Sequence, residues 1–188
     1  MCRERGIMDL RTERTKRSII NAFLELRSKK PLEKITVKEL AELAFINKAT
    51  FYTHYRDIYD LSEQLETEFI TNILNQLPSS DFIFSNTKEG TERLFLALSS
   101  QKAILDILFS GNRFSALASR LENGIKEHFY EKYPEHRNNL EFNILITVLI
   151  QGCFHAYVSY ATDQNMPQLI EIIGNINSTL ISTQITGK

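Results

Sequence analysis

Apolar residues recur at every third or fourth position through most of the chain, which is the period of helices that bury one face. The first such pattern spans residues 12–29 and is closed by Pro31, because proline interrupts a helix. Its inward face consists of Ile19, Ile20, Phe23, Leu24 and Leu26. Alternating strand patterns are essentially missing, since the apolar run 82–84 is too short to build on. The pattern therefore predicts an all-α fold.

The same period predicts a series of further helices along the chain. A Pro-Ser-Ser run ends one of them, and residues 78–87 are predicted as a loop. Pro134 and Pro167 mark later breaks. The helices expected after the first lie at about 36–43, 47–54, 58–76, 88–99, 101–109, 113–132, 138–162 and 167–183.

Residues 36–57 have the pattern of two short helices joined by a tight turn. Thr36 is placed to cap the first helix, and Glu39 completes a Thr-x-x-Glu capping box. Asn47 is placed to cap the second helix. Phe51 is expected to anchor that helix inward, which leaves its polar side chains facing out. This is the layout of a helix-turn-helix, whose second helix lies in the major groove of DNA.

Residues 49–57, Ala-Thr-Phe-Tyr-Thr-His-Tyr-Arg-Asp, carry a specific resemblance, supported by segments 14–19 and 35–41. Residues 11–69, about a third of the chain, resemble the DNA-binding domain of the TetR/AcrR family of bacterial transcriptional regulators. The resemblance implies an N-terminal three-helix helix-turn-helix domain plus a C-terminal helical bundle domain. The rest of the chain resembles the family only in its length and its helical character.

Two positions depart from the family pattern. Phe45 stands where the turn often has Gly, Asn or Lys, and a bulky residue is unfavourable in a left-handed conformation. Either this turn avoids positive φ or it is mildly strained. Ile58 replaces a basic or polar residue, so one phosphate contact of the family is expected to be missing, and Arg56 is placed to compensate.

The chain is expected to divide into three segments with different roles. We expect a disordered N-terminal tail over 1–11, a helix-turn-helix DNA-binding domain over 12–57, and a C-terminal effector-binding and dimerisation domain over 58–188. Residues 1–60 contain 13 Lys and Arg against 9 Asp and Glu, a net charge of +4, whereas the rest carries −5. A basic N-terminal segment followed by an acidic C-terminal one is typical of a DNA-binding module joined to a regulatory module. The alternative is that the charges are clustered by chance.

Several residues of the motif are expected to contact DNA. Thr36 and Lys38, at the start of the first motif helix, are expected to meet phosphate. Lys48, Ala49 and Thr50 begin the second helix, where a lysine can bind guanine O6 and N7 and the smaller side chains can touch a thymine methyl. The family's phosphate-contacting positions correspond here to Tyr52, His54 and Arg56. For Tyr52 and His54, the alternative is an ordinary surface position without a DNA contact.

Regulators of this family dimerise by packing two C-terminal helices of each subunit into a four-helix bundle. The resemblance therefore implies a homodimer through helices 138–162 and 167–183. Gly152 and Ala156 are four residues apart and permit close helix approach. The apolar stripe of the last helix consists of Leu169, Ile172, Ile173, Ile176 and Leu180. The alternative is that this stripe is only monomer core, but a two-fold protein suits a pseudo-palindromic operator in double-stranded DNA.

The middle helices carry abundant aromatic and aliphatic residues, and apolar pockets between bundle helices are common ligand sites. A small-molecule effector of unknown identity is expected among Phe109, Phe114, Leu117, Leu121, Leu145, Leu149 and Cys153. The alternative is that these residues form ordinary core.

Other classes of protein fit the sequence poorly. Glycine-rich phosphate loops, ordered nucleophile triads and metal-ligand spacings are missing, so we expect no enzyme, no cofactor and no metal site. Two distant cysteines, Cys2 and Cys153, offer no disulfide framework, which indicates a reducing cytoplasm. The apolar segment 144–161 contains Gln151 and His155, so we interpret it as a core helix and expect no membrane association.

The expected function is that of a ligand-responsive repressor that acts as a homodimer. A ligand in the C-terminal domain would tilt the connecting helix 58–76 and change the separation of the two recognition helices. The alternative is a TetR-like activator or coactivator whose C-terminal domain binds a partner protein.

Overall fold

The computed structural model describes residues 2–110, 113–162 and 164–186. The fold is all-α, as predicted, and no strand occurs within these ranges. The α-helices are α1 (Cys2–Lys29), α2 (Val37–Leu43), α3 (Lys48–Tyr52), α4 (Ile58–Leu74), α5 (Ser80–Ser85), α6 (Thr87–Ser100), α7 (Lys102–Leu108), α8 (Phe114–Lys132), α9 (Leu140–Tyr160) and α10 (Met166–Thr186). Short 3-10 turns occupy Leu32–Lys34 and Pro134–Asn138.

The chain divides into two compact units. The first unit comprises residues 1–67 with 106–108, and the second comprises 68–105 with 109–188. The division falls inside α4, whereas the sequence places a domain boundary before residue 58, at the start of that helix. The helix therefore contributes its first ten residues to one unit and the rest to the other.

Helix α1 begins earlier than the sequence predicts. Residues 2–11, expected as part of a disordered tail, are helical, while Met1 lies outside the described residues. The segment contains no proline, and nothing in it stops a helix that starts upstream of residue 12. Within the predicted part of the helix, Ile19, Phe23 and Leu26 are buried as expected.

The core of the first unit is built by helices α1 to α4. Leu40 and Ala41 of α2, Phe51 of α3 and Leu61 of α4 are all buried. Phe51 and Leu61 have no exposed surface at all. These residues lie at the apolar positions of the helical period, so the hydrophobic effect fixes which face of each helix points outward.

Close helix contacts in the second unit depend on glycine. A Cβ atom added at Gly124 of α8 would lie 2.3 Å from Leu74 Cδ1 at the end of α4. A Cβ atom added at Gly174 of α10 would lie 3.1 Å from Lys88 Cγ of α6. The missing side chains therefore allow α8 and α10 to approach their neighbours closely.

A buried carboxylate joins α8 to α9. Glu122 is 8% exposed, and its Oε1 accepts from Lys126 Nζ at 2.6 Å and from Thr147 Oγ1 at 2.6 Å. Its Oε2 accepts from Gln151 Nε2 at 2.8 Å. Burial alone would raise the pKa of Glu122, but the hydrogen bonds from Lys126, Thr147 and Gln151 outweigh it and the pKa is lowered. The carboxylate is thus charged, and both of its oxygens accept hydrogen bonds.

The prediction of a loop over 78–87 is wrong, because the chain forms helix α5 there. The Asp81 carboxylate accepts hydrogen bonds from Lys132 Nζ and Tyr133 Oη, and the Lys132 bond is the main reason that the pKa of Asp81 is lowered. Ile83 packs closely on Gly90 of α6. These contacts are distant in sequence, so local propensity could not reveal them.

Among the described residues, one helix is long and apolar enough to cross a membrane by length and composition alone, namely α9. One face of α9 packs on α8 and α10, and it buries Ile146, Leu149, Ile150, Cys153 and Phe154. The Gln151 side chain in the middle of the helix donates to Glu122. Only 28% of the apolar window of this helix is buried, so α9 belongs to the core along one face and leaves other apolar side chains exposed in the single chain.

Candidate nucleic-acid interface

The first motif helix, α2, begins at the predicted cap. Thr36 Oγ1 accepts from Glu39 N at 3.2 Å, which satisfies one of the free amides at the helix start. The predicted capping box is only half formed, because the Glu39 carboxylate accepts from Lys30 Nζ. Thr36 and Lys38 are exposed, and the Thr36 hydroxyl still has its hydrogen to donate to a phosphate.

The second motif helix, α3, is capped by Asn47 as predicted. Asn47 Oδ1 accepts from Thr50 N at 2.7 Å and from Thr50 Oγ1 at 2.9 Å. The Thr50 hydroxyl hydrogen is therefore used inside the cap, and the methyl group is left as its best contact for a base. Lys48 and Ala49 are exposed at the start of the helix.

Aromatic packing holds the outer face of α3 in place. The Phe51 ring is fully buried and meets the Tyr52 ring edge-to-face, with centroids 5.6 Å apart. Tyr55 is buried against Phe51, with a centroid separation of 5.8 Å. Tyr52 remains 57% exposed and His54 is half-buried. Buried rings thus support side chains that reach the surface.

Arg56 is exposed and already has an acidic partner. Its guanidinium donates to Asp60 Oδ1 at 3.1 Å, and its backbone N–H donates to Asp60 Oδ2 at 2.8 Å. The backbone bond is the main reason that the pKa of Asp60 is lowered. Ile58, the second departure from the family pattern, is buried at the start of α4, so this position serves the core and offers no phosphate contact.

The turn between α2 and α3 uses the left-handed conformation. Phe45 has φ of 54°, and its side chain is 95% exposed. Its N–H donates to Glu42 O at 3.3 Å, and Ile46 N–H donates to Ala41 O at 3.0 Å. This pair of bonds is the Schellman motif, which usually has glycine where Phe45 stands. Of the two alternatives left open by the sequence, the strained turn is the one that occurs.

Replacing Phe45 with glycine should therefore stabilise the protein. The left-handed conformation costs a side-chain-bearing residue about 1–2 kcal/mol, and the extra freedom of glycine in the unfolded chain removes roughly 0.5–1 kcal/mol of that gain. We expect the free energy of unfolding to rise by about 0.5–1 kcal/mol, measured by urea denaturation. Phe45→Ala removes the same exposed ring but keeps the strain, so it should give no such gain; equal stability of the two variants would contradict this explanation.

All eight residues expected to contact DNA lie in the first unit, within twenty-one residues of chain, and none of them is fully buried. Comparison with protein-family models, curated proteins and solved structures found no match. The arrangement itself offers exposed threonine and lysine side chains at the starts of two capped helices, and an exposed tyrosine at the end of the second. Such groups can bind phosphate oxygens and base edges.

The second unit contains a cavity of about 70 Å³. Leu149 and Cys153 of the expected effector set line it. The other five residues of that set do not: Phe109, Leu117 and Leu121 are buried elsewhere, and Phe114 and Leu145 are half-buried. Sequence reasoning missed Thr91 and Asn177, which also line the cavity. The signal for Asn177 was its place between Ile173 and Ile181 on the buried face of an otherwise apolar stripe.

An apolar surface on α9 and α10 remains uncovered in the single chain. We name it the α9–α10 surface, and its exposed residues are Leu140, Ile144, Val148, Val158, Tyr160, Ile172, Ile176 and Leu180. Gly152 is exposed on α9, and a Cβ atom added there would have nothing within 4 Å. Packing inside the single chain therefore gives no reason for a glycine at this position.

Proposed function

We propose that this chain is a sequence-specific DNA-binding transcriptional regulator of the TetR/AcrR type, a ligand-responsive repressor that acts in the cytoplasm. The observation that carries the proposal is the pair of capped helices α2 and α3, anchored by buried Phe51, with Lys48 and Ala49 exposed at the start of α3. This is the arrangement with which a recognition helix presents its first residues to base edges.

Each part of the motif has a role in this proposal. Lys48 reads a guanine, while Ala49 and the Thr50 methyl meet thymine methyl groups. Phosphate contacts from Thr36, Lys38, Tyr52, His54 and Arg56 set the register on the duplex and give no sequence information. Arg56 makes its phosphate contact with the donors that Asp60 leaves free.

A homodimer through α9 and α10 completes the proposal. A second copy would cover the α9–α10 surface, and the absence of a side chain at Gly152 would let the two copies of α9 approach closely. Two recognition helices held one DNA turn apart, at about 34–36 Å, would match a pseudo-palindromic operator. The cavity in the second unit supplies a place for the effector. Because α4 belongs to both units, it is the element through which we propose that ligand binding alters DNA affinity.

The test is selection of genomic DNA fragments by the purified protein at moderate salt, beside a Lys48→Ala/Tyr52→Ala double variant. We expect the wild type to enrich a palindromic site, and the double variant to bind that site at least about 10-fold more weakly, since one good base contact discriminates by about 1–3 kcal/mol. Lys34→Ala, which removes an exposed lysine of the same unit outside the motif helices, serves as the charge control and should still enrich the site.

Equal enrichment by the wild type and the double variant, or no enrichment at all, would contradict the proposal. In that case, the exposed α9–α10 surface favours the other candidate, a TetR-like activator or coactivator that binds a partner protein. A stable complex of a monomer with a different protein, measured by solution mass, would support that function.

A further inference from the structure

The cavity of the second unit has mostly apolar walls with one polar corner. Leu94, Ile146 and Leu149 are among its apolar lining residues, and Asn177 and Thr91 are among its polar ones. Within the part of the chain that the structure describes, no Asp, Glu, Lys, Arg or His side chain lines this cavity. A charged ligand would therefore lose its hydration and find no opposite charge, which makes an uncharged ligand the better fit.

Hydrogen bonds fix how the Asn177 amide lies. Its Nδ2 group donates to Thr91 Oγ1 at 3.1 Å and to Cys153 Sγ at 3.0 Å. Thr91 Oγ1 donates its own hydrogen to Thr87 O at 2.8 Å, so towards Asn177 it can only accept. The group that faces Thr91 is therefore the amide nitrogen, and the assignment of oxygen and nitrogen follows from the network. Burial raises the pKa of Cys153, so this neighbour is a neutral thiol.

This network leaves one acceptor without a donor. Both hydrogens of the Asn177 amide are used, and no described residue donates to Oδ1, although the side chain is only 7% exposed and lines the cavity. An amide oxygen that receives no hydrogen bond from the protein can accept one from a molecule that enters the cavity. An incoming donor group would satisfy this oxygen, and the surrounding apolar walls would favour the rest of a hydrophobic ligand.

We propose that the cavity binds a small, uncharged, apolar molecule with one hydroxyl group, such as a phenol or a short-chain alcohol, whose hydroxyl donates to Asn177 Oδ1. A carboxylate lacks the donor and carries a charge that the cavity cannot match. The identification of this ligand as the effector rests on the proposed function. The binding step itself requires no DNA.

The experiment compares phenol with toluene, which has the same shape but no donor. Both are titrated into the full chain, without DNA, and binding is followed by NMR shifts of the methyl groups of Ile146 and Leu149. We expect phenol to bind the wild type about 10-fold more tightly than toluene, since only phenol can donate a hydrogen bond to Asn177 Oδ1. Equal affinities in the wild type would overturn the proposal whatever the variants do.

Two variants test whether Asn177 Oδ1 causes the preference for phenol over toluene. Asn177→Leu keeps the side-chain size but removes the oxygen, so the preference for phenol should disappear. Ile181→Val shortens an apolar side chain that lines the cavity and leaves Asn177 Oδ1 in place, so the preference for phenol should remain. A preference that survives in Asn177→Leu would overturn the assignment to Oδ1. Failure of the DNA selection, by contrast, would overturn the proposed function and leave this binding result as measured.

Discussion

Replacing Gly152 with glutamate is expected to separate the proposed homodimer and to lower affinity for the proposed operator at least about 100-fold, equivalent to about 2.8 kcal/mol. Symmetry brings the new carboxylate into the interface from both copies, and a buried charge without a partner is strongly unfavourable. The single chain should stay folded, because a side chain at this position meets nothing within 4 Å and a helix gains stability when glycine is replaced.

Analytical ultracentrifugation with urea denaturation distinguishes these two effects. We expect Gly152→Glu to sediment as a monomer, with an unfolding transition at low concentration that is no weaker than that of the wild type. Ser119→Glu adds the same charge at an exposed position of α8, outside the α9–α10 surface, and should remain a dimer. A Gly152→Glu protein that remains dimeric with full operator affinity would refute the proposed interface.

Replacing Glu122 with alanine should destabilise the protein by about 3 kcal/mol, the low end of the cost of breaking a buried ion pair. The change leaves the Lys126 ammonium, whose side chain is 15% exposed, without its anion. It also removes the acceptor of Gln151 and one of the two acceptors of Thr147, which keeps Asn143 O. Urea denaturation measures the loss. Glu122→Leu/Lys126→Met removes both charges and should lose less than the single change; a larger loss would contradict this explanation.

The pH dependence gives a second check on Glu122. Its pKa is lowered in the folded chain, so its contribution to stability is present above the pKa of an unfolded glutamate, about 4.3, and is lost as the pH falls through the folded value. Glu122→Gln lacks this titration. The stability difference between wild type and Glu122→Gln should therefore narrow as the pH falls below about 4, and a difference that widens would have the wrong sign.

Local chemistry explains which features could be read from the sequence. The caps at Thr36 and Asn47 depend on residues three positions away, and the buried faces of α1 and α3 follow the helical period. These short-range rules do not need the rest of the fold. Because these rules are local, they predicted a loop where α5 forms. The contacts of Asp81 in α5 are with Lys132 and Tyr133, about fifty residues later in the chain.

The sequence left two other features undecided, for different reasons. The residue type at Phe45 makes a left-handed turn unfavourable, yet the hydrogen bonds of the α2 terminus impose it. The cavity lies where α6, α9 and α10 leave space, and a list of apolar residues cannot show which of them meet. The sequence shows Asn177 as a polar residue in an apolar stripe. Its hydrogen bonds, and the amide oxygen that they leave without a donor, can be identified only from the structure.

The most direct test of the central claim is chemical protection of an enriched DNA fragment, with methylation of guanine N7 in the major groove as the readout. We expect wild-type protein to protect guanines in two symmetric half-sites, centred about 10–10.5 base pairs apart on one face of the duplex. Lys48→Ala should lose protection at the guanine that Lys48 binds in each half-site. Protection of a single half-site, or of adenine N3 in the minor groove alone, would contradict a dimer that reads the major groove through α3.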